Sequence, residues 1–296
     1  MTVSGAVADG PLLTVGEEEF RLFRDLIHRH TGIWLREGKE VMLASRLARR
    51  LRHHGMASFA DYYDYVQRCQ DGGRELSELI NCVTTNKTAF FREAHHFRCL
   101  TGVVVPESLA HNRRATDPHS LRIWSAACST GEEPWSIAIT LLEARQRNAV
   151  LRGWDLRVVA SDIDTAVLET ARRGIYAEEE VAEVDVALQK KYFLRGRDER
   201  AGSVKVKKEV AALVQFQRIN LMDSTWLLEG VFDAIFFRNA LIYFRQETQD
   251  LFLRRMIRRL KPRGYLFLGH SEHIPWLHDV LEPLQQTVYR LREGRR

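Results

Sequence analysis

Apolar positions repeat with one period in the first part of the chain and with another in the second. Phe20, Phe23, Leu26 and Ile27 fall on one face of a helix that starts near Glu17 and stops at Thr31 and Gly32. A second helix, over 37–53, sets Leu43, Leu47 and Leu51 at successive i+4 positions and is closed by Gly55. A third carries Phe59, Tyr62, Tyr63 and Val66, and a fourth, over 75–83, carries Leu76, Leu79 and Ile80. A helix over 100–110 then runs into HNRRATDPHS, a polar, proline-containing stretch that reads as a boundary.

Beyond that boundary, short apolar runs alternate with helical periodicity. Leu121, Ile123 and Trp124 end a buried strand, and Ile137, Ala138, Leu141 and Leu142 follow on one helix face. The run over 156–161 is a second strand ending in Asp162, and the helix after it turns Val167, Leu168 and Ala171 inward before Gly174. Strands over 213–219 and 231–237 come next. A helix over 246–260, a turn over 261–264, a fifth strand in YLFLGHSE and an edge strand over 287–291 complete the order. Between 178 and 200 the chain is charged and partly helical, anchored by Leu188, Tyr192 and Phe193. Val204, Val206 and Val210 then alternate with Lys205, Lys207 and Lys208, the pattern of a small antiparallel excursion. Alternating strands and helices predict an α/β fold with a mainly parallel sheet, preceded by a small all-helical domain. Ligands of such sheets bind at the carboxyl ends of the strands.

Composition narrows this little. The 296 residues, 45% hydrophobic and 28% charged, are enough for two domains, and a net charge of +5 favours an acidic partner without specifying nucleic acid. Cys69, Cys82, Cys99 and Cys128 form no C-x-x-C pair and stand at no zinc-finger spacing, so neither a metal nor a disulfide framework is expected. Residues 1–13 lack the start of a signal peptide, and no run approaches the ~20 apolar residues of a membrane span. A cytoplasmic protein with a disordered tail over 1–15 is expected. The position of the positive charge is more telling than its sum. Arg46, Arg49, Arg50 and Arg52 have no acidic residue among them to neutralise them at i,i+4, so they read as a surface for docking an anionic object. A plain solvated face is the competing reading.

The chemistry concentrates around 124–138, WSAACSTGEEPWSIA. Small residues fill the turn from strand to helix, so a ligand can approach the backbone closely. Thr130 and Glu133 have the spacing of a capping box, with Pro134 in the first helical turn. Asp162, after the second strand, is placed to accept both hydroxyls of a ribose, and Asp164 to cap the next helix. In TTNKTAFFRE, over 84–93, Asn and Thr side chains are suited to hydrogen-bond a ligand, with Phe90 or Phe91 as a pocket wall. His95 and His96 read as structural, since no carboxylate or cysteine stands at ligand spacing. The pattern G-x-G-x-x-G is absent, which argues against a nicotinamide dinucleotide, and an open sheet with a small-residue first turn, an acid after the second strand and polar residues after the third and fourth suits S-adenosylmethionine better.

Those segments, with RINLMD at 218–223, FDAIFFRNALIYF at 232–244 and LGHSE at 268–272, resemble the chemotaxis receptor glutamate methyltransferases over most of the chain. The resemblance implies a helical domain over 16–90, a linker and connecting helix over 91–119, and a Rossmann-like methyltransferase domain over 120–296 with an inserted β-subdomain over 178–212. It implies cofactor contacts at Asn86, Thr88, Arg92, Glu133, Asp162, Asn220, Leu221, Asn239 and Ala240. It also sets Arg46, Arg49, Arg50 and Arg52 against the acidic methylation helix of a receptor. In some members the inserted subdomain grips a tether at the receptor's end. The implied activity is that of a protein-glutamate O-methyltransferase, leaving S-adenosylhomocysteine. A monomer with no metal, no nucleic-acid partner and no direct membrane insertion is expected, since nothing in the sequence demands more. A glutamate carboxylate is already ionised, its unperturbed pKa being near ~4.3, so transfer needs alignment rather than a general base. Arg92 is expected to orient a carboxylate through paired hydrogen bonds and Tyr243 to line the transfer site, while His270 reads as structural. Two other readings share this sequence: a methyltransferase of another acidic protein or of RNA, and a non-catalytic sensor of S-adenosylmethionine or S-adenosylhomocysteine.

Overall fold

The computed structural model describes residues 14–69, 71, 73–112 and 119–294. It divides into two compact units, Met1–Thr84 and Thr85–Arg296. The division falls ahead of the expected end of the helical domain at 90, because Asn86, Phe90 and Phe91 form their bonds and contacts within the second unit. Of the expected tail, residues 1–13 lie outside the described residues, and Val15 is buried in the helical core.

The first unit contains α1 (Glu17–Thr31), α2 (Glu40–His54), α3 (Phe59–Arg68) and α4 (Arg74–Val83). Glu19 accepts from the Gly16 N–H at 2.8 Å at the start of α1, and Gly32 ends it with φ of 76°. Helix α2 starts later than the apolar spacing predicts, because Gly38 turns at φ of 79° and donates to Glu40. Phe23, Leu43, Leu47, Leu51, Tyr62 and Leu79 fill the core. A carboxylate is buried beside them: Glu75 accepts from Tyr62 Oη at 2.6 Å and from Arg50 Nε at 2.9 Å, and lies 2.9 Å from His54 Nε2. The basic helix is therefore not one uniform face. Arg50 is neutralised by Glu75 from another helix, an ion pair that the sequence spacing within α2 excludes but tertiary structure supplies. Arg46 donates to the carbonyls of Val83 and Thr84 and so closes the end of α4, while Arg49 and Arg52 are exposed.

The second unit opens with α5 (His95–Cys99), a π-helical turn over Leu100–Val104, and α6 (Val105–Asn112). It continues through β1 (Ser120–Ala126), α7 (Glu132–Arg147), β2 (Asp155–Asp162) and α8 (Thr165–Arg173). The inserted part follows, with β3 (Ile175–Ala177), α9 (Val186–Tyr192), β4 (Phe193–Arg195) and β5 (Ser203–Val206). After α10 (Lys208–Ala211) come β6 (Val214–Arg218), β7 (Phe232–Phe236), α11 (Gln246–Ile257), β8 (Leu260–Phe267), β9 (Leu281–Gln285) and β10 (Val288–Leu291). The main sheet has the order β6-β2-β1-β7-β8-β10-β9, and the small one β3-β5-β4. Strands β6, β2, β1, β7 and β8 are parallel, and β10 runs antiparallel to both its neighbours. Because β2 and β6 extend the sheet to one side of β1 and β7 and β8 to the other, the chain reverses direction of growth there, which opens a crevice at the carboxyl ends. Residues 261–264, expected as a turn, lie inside β8, where Leu260 pairs with Phe232 and the ladder shifts register. Strand β9 had no alternating signal and forms as the partner of β10.

Candidate active site

Five segments leave the carboxyl ends of β1, β2, β6, β7 and β8, and each carries residues singled out from sequence. After β1 the backbone turns through Ala127 at φ of 57° and Ser129 at 50° before Gly131 starts α7 at 100°. A side chain on Gly131 would place Cβ 2.8 Å from Ala171 Cβ and 3.0 Å from Tyr176 Oη, so the close approach requires glycine. Tyr176 donates to the Thr130 carbonyl at 2.7 Å and holds the turn from the inserted sheet. Asp162 fastens the same turn from β2, accepting from the Ser129 N–H at 2.8 Å and from the Asp164 N–H at 3.0 Å. Burial pushes its carboxyl up to about 6 despite those donors. Asp164 caps α8, as expected, by accepting from Ala166 and Val167 N–H, and its other oxygen accepts from Asn86 Nδ2 at 2.9 Å.

The capping box does not form. Thr130 donates to Glu132, and Glu133 turns inward, where it accepts from Ser125 Oγ at 2.7 Å and from Arg238 Nη1 at 3.0 Å. A buried cation outcompetes the helix end for this carboxylate, since a buried guanidinium left short of anionic partners costs more than a helix N–H left uncapped. Arg238, whose side chain is 2% exposed, also lies 3.2 Å from Glu93 Oε2 and donates to the Arg92 carbonyl. One residue from the end of β7 thus joins three motifs far apart in sequence. Burial opposes ionisation of Glu93, yet Arg238 and His270 hold its carboxyl down to about 2. Burial acts on Glu133 in the same sense and raises it, against Arg238 and Ser125.

Asn239 follows with φ of 57°, its N–H donating to Glu272 at 2.9 Å and its Nδ2 reaching Glu93 at 3.4 Å. Glu272 also accepts from the Gly269 and Leu241 N–H groups at 2.7 and 2.8 Å, so LGHSE after β8 shapes the loop after β7. Five of the eight non-glycine residues with positive φ among the described residues, Phe91, Glu93, Ala127, Ser129 and Asn239, lie in these segments. Such clustering of backbone strain marks a functional site.

Hydrogen bonds and ion pairs thus gather the site residues into two groups, Asn86 with Asp162 through Asp164 and Ser129, and the Arg92 carbonyl with Glu133 and Asn239 through Arg238 and Glu93. Asn220 and Leu221 join the first group at the end of β6, where the Ile219 N–H donates to the Asp162 carbonyl at 3.0 Å. Ala240, Thr88 and Tyr243 enter as neighbours in the same segments, Tyr243 partly exposed in a 3-10 turn over Leu241–Tyr243. Arg92 spends one terminal nitrogen on the Lys87 carbonyl at 3.1 Å, which closes its own loop. Phe90 is buried between Tyr176 and Phe193 and anchors the segment, leaving the partly buried Phe91 nearer the surface. His270 binds Glu93 through Nδ1 at 3.1 Å. Glu93, His95 and His96 turn ligand atoms to within 4.8 Å of one another, so a carboxylate does stand at ligand spacing, contrary to the sequence argument. The Arg238 guanidinium already supplies that carboxylate with a cation. Sequence reasoning gave no role to Arg238, Glu93 or Glu272, although all three sit in the quoted motifs. A buried-charge pattern, one arginine at a strand end among apolar residues, was the available signal for Arg238.

The arrangement sets the carboxylates of Glu93 and Glu133 against the buried guanidinium of Arg238, and Asp162 against the narrow turn of small residues after β1. That donor set fits a ligand carrying a ribose, an amino acid moiety and a positive charge. A sequence profile described as "CheR methyltransferase, SAM binding domain" matches residues 86–290, and one described as "CheR methyltransferase, all-alpha domain" matches 18–84. The chain belongs to the CheR methyltransferase family. It is 44% identical to chemotaxis protein methyltransferase 2 of Pseudomonas aeruginosa over 275 residues, 92% of each chain. It is 43% identical to the chemotaxis protein methyltransferase of Escherichia coli over 279 residues, covering 94% of this chain and 92% of that one. The relative from Borreliella burgdorferi is 34% identical over 278 residues, 94% and 95% of the two chains.

Proposed function

We propose that this chain methylates glutamate side chains of chemoreceptor cytoplasmic domains with S-adenosylmethionine, acting as a cytoplasmic monomer. S-adenosylmethionine-dependent methylation in chemotaxis is the function that family membership over both units and the named relatives carry. The finer reading, a glutamyl methyl ester, is supported by one observation: charged groups at the carboxyl ends of the strands, Glu93 and Glu133 among them, are already engaged by Arg238, which suits binding and alignment rather than proton transfer. A substrate that arrives ionised needs only alignment. When bound, S-adenosylmethionine supplies an activated methyl on a sulfonium. Asp162 accepts the ribose hydroxyls, and Asn220 and Leu221 contact the cofactor from the β6 loop. Glu93 and Glu133 leave a negative excess over Arg238 that favours a positive ligand. Arg92 orients a carboxylate and Tyr243 lines the transfer position, and exclusion of water there strengthens both interactions. On the helical unit, the exposed Arg49 and Arg52 are the docking residues for an acidic receptor helix. No helix among the described residues is long and apolar enough to cross a membrane.

The test is transfer of labelled methyl to a receptor cytoplasmic fragment. Label released as methanol in mild base supports the ester. Label stable to base, or carried by nucleic acid, contradicts it.

A further inference from the structure

The segment between β6 and β7 carries two of the cofactor contacts assigned above and has almost no backbone pairing of its own. Within it the Asp223 N–H donates to the Asn220 carbonyl at 3.1 Å, the Leu228 N–H to the Trp226 carbonyl at 2.7 Å, and the Met222 N–H to Asn220 Oδ1 at 3.0 Å. Arg122 Nη2 donates to the Glu229 carbonyl at 2.8 Å, and the other carbonyl partners are Arg255 of α11 and Arg259 just beyond its end. Arg255 Nη1 donates to the Leu221 carbonyl at 2.7 Å, and Nη2 donates to the carbonyls of Asp223 and Ser224. The same guanidinium lies 4.1 Å from the centre of the Trp226 ring, which is itself buried against Trp124 at 5.3 Å. One turn on, Arg259 donates to the Leu228 carbonyl at 3.1 Å and reaches that of Trp226 at 3.5 Å.

We propose that Arg255 is a positioning residue for the cofactor: its planar fork fixes the backbone over 221–224 and so presents Asn220 and Leu221 in the binding geometry. This rests on the reading of those two residues as cofactor contacts. Three carbonyls on one rigid donor fork define a loop shape that no periodic structure defines there, and a lysine ammonium has no planar fork to match it. Without the guanidinium, Trp226 still holds the far end of the loop and water replaces the lost donors. The fold then survives, but the loop must be ordered as the cofactor binds, and that cost appears in affinity.

The experiment measures S-adenosylhomocysteine binding by calorimetry, hydrogen exchange and steady-state transfer for the full chain and R255Q, R255K, R254Q and N220A. Arg254, exposed and paired with Asp250 at 2.8 Å on the same helix, is the control. The expected result for R255Q is a roughly tenfold or greater rise in Kd with kcat retained at saturating cofactor. Exchange should quicken over 219–228 alone, R255K should recover part of the affinity, and R254Q should behave as the unaltered chain. R255Q at unaltered affinity overturns the proposal, as does exchange quickened across the whole unit with kcat lost in both Arg255 variants. N220A weakened beside an unaffected R255Q removes the proposal alone. N220A at unaltered affinity removes the underlying reading, and the proposal with it.

Discussion

The Arg238 guanidinium binds the Glu133 carboxylate at 3.0 Å across 105 residues of sequence, with Arg238 almost inaccessible to water and Glu133 largely buried. This bond joins the helix after β1 to the end of β7, the two strands between which the sheet opens. Removing one member of a buried pair leaves the other charge without compensation, at a cost of about 3–5 kcal/mol. Arg238→Gln should therefore lower the melting temperature of the second unit sharply and abolish cofactor binding. Arg238→Lys keeps the charge but cannot serve Glu133, Glu93 and the Arg92 carbonyl together, so it should recover stability only in part. Thermal unfolding followed with and without S-adenosylhomocysteine checks both, and an unaltered melting temperature for Arg238→Gln contradicts the role given to the pair.

If Asp162 holds the ribose as proposed, cofactor binding should depend on pH. Its carboxyl is raised by burial to about 6 in the free protein, above the ordinary value of 3.8, so the folded chain holds this proton more tightly than the unfolded chain. Stability from this group is therefore present at low pH and lost as pH rises from near the ordinary value through about 6. Ribose hydroxyls donate to the ionised form, so affinity should rise as pH passes through about 6 from below, with a proton released on binding under acidic conditions. Calorimetry in buffers of different ionisation heat measures that proton. Affinity that stays flat between about pH 5 and about pH 7 contradicts the assignment.

Gly269 should not tolerate a methyl group. A Cβ there would stand 2.3 Å from Asn239 Nδ2 and 2.8 Å from the Asn239 backbone nitrogen, in a loop that Glu272 holds from three N–H groups. Gly269→Ala should displace Asn239, costing about 1–3 kcal/mol of stability as overpacking does and more in cofactor affinity than in fold. Comparing the loss of binding with the shift in unfolding midpoint decides this. Equal affinity to the unaltered chain would show that Asn239 does not touch the cofactor.

The arginines of α2 should separate into two kinds. Arg50→Ala strands the buried Glu75 carboxylate with Tyr62 and His54, and should destabilise the helical unit by about 3–5 kcal/mol. Arg49→Ala and Arg52→Ala should leave unfolding unchanged and raise KM for a receptor fragment several-fold, most at low salt, where exposed charges act furthest. Unchanged receptor KM in both exposed variants would remove docking from this helix.

Local signals were legible in the sequence. The strand ends, the helix stops at Gly32, Gly55 and Gly174, and the cap at Asp164 depend on neighbours within a few residues, and the structure places them where spacing predicts. The family motifs include the segments that the structure brings to the carboxyl ends of β1, β2, β6, β7 and β8. What escaped depends on partners distant in the chain. Glu133 has the spacing of a cap yet serves Arg238, and Arg50 looks unpaired until Glu75 of α4 meets it. Glu272 and Arg255 act on backbone groups of other loops, which leave no periodic trace. The strand β9 escaped because only Leu281 in it is buried and its last three residues are exposed, so pairing with β10 defines it more than burial does.

The most direct measurement is mass spectrometry of a chemoreceptor cytoplasmic fragment after incubation with this chain and S-adenosylmethionine. The expected result is a mass gain of one methylene unit on particular glutamates, reversed by mild base and absent when those glutamates are replaced by alanine or when Arg92→Ala is used. A gain on any other side chain, or none on the fragment while another macromolecule is methylated, would contradict it.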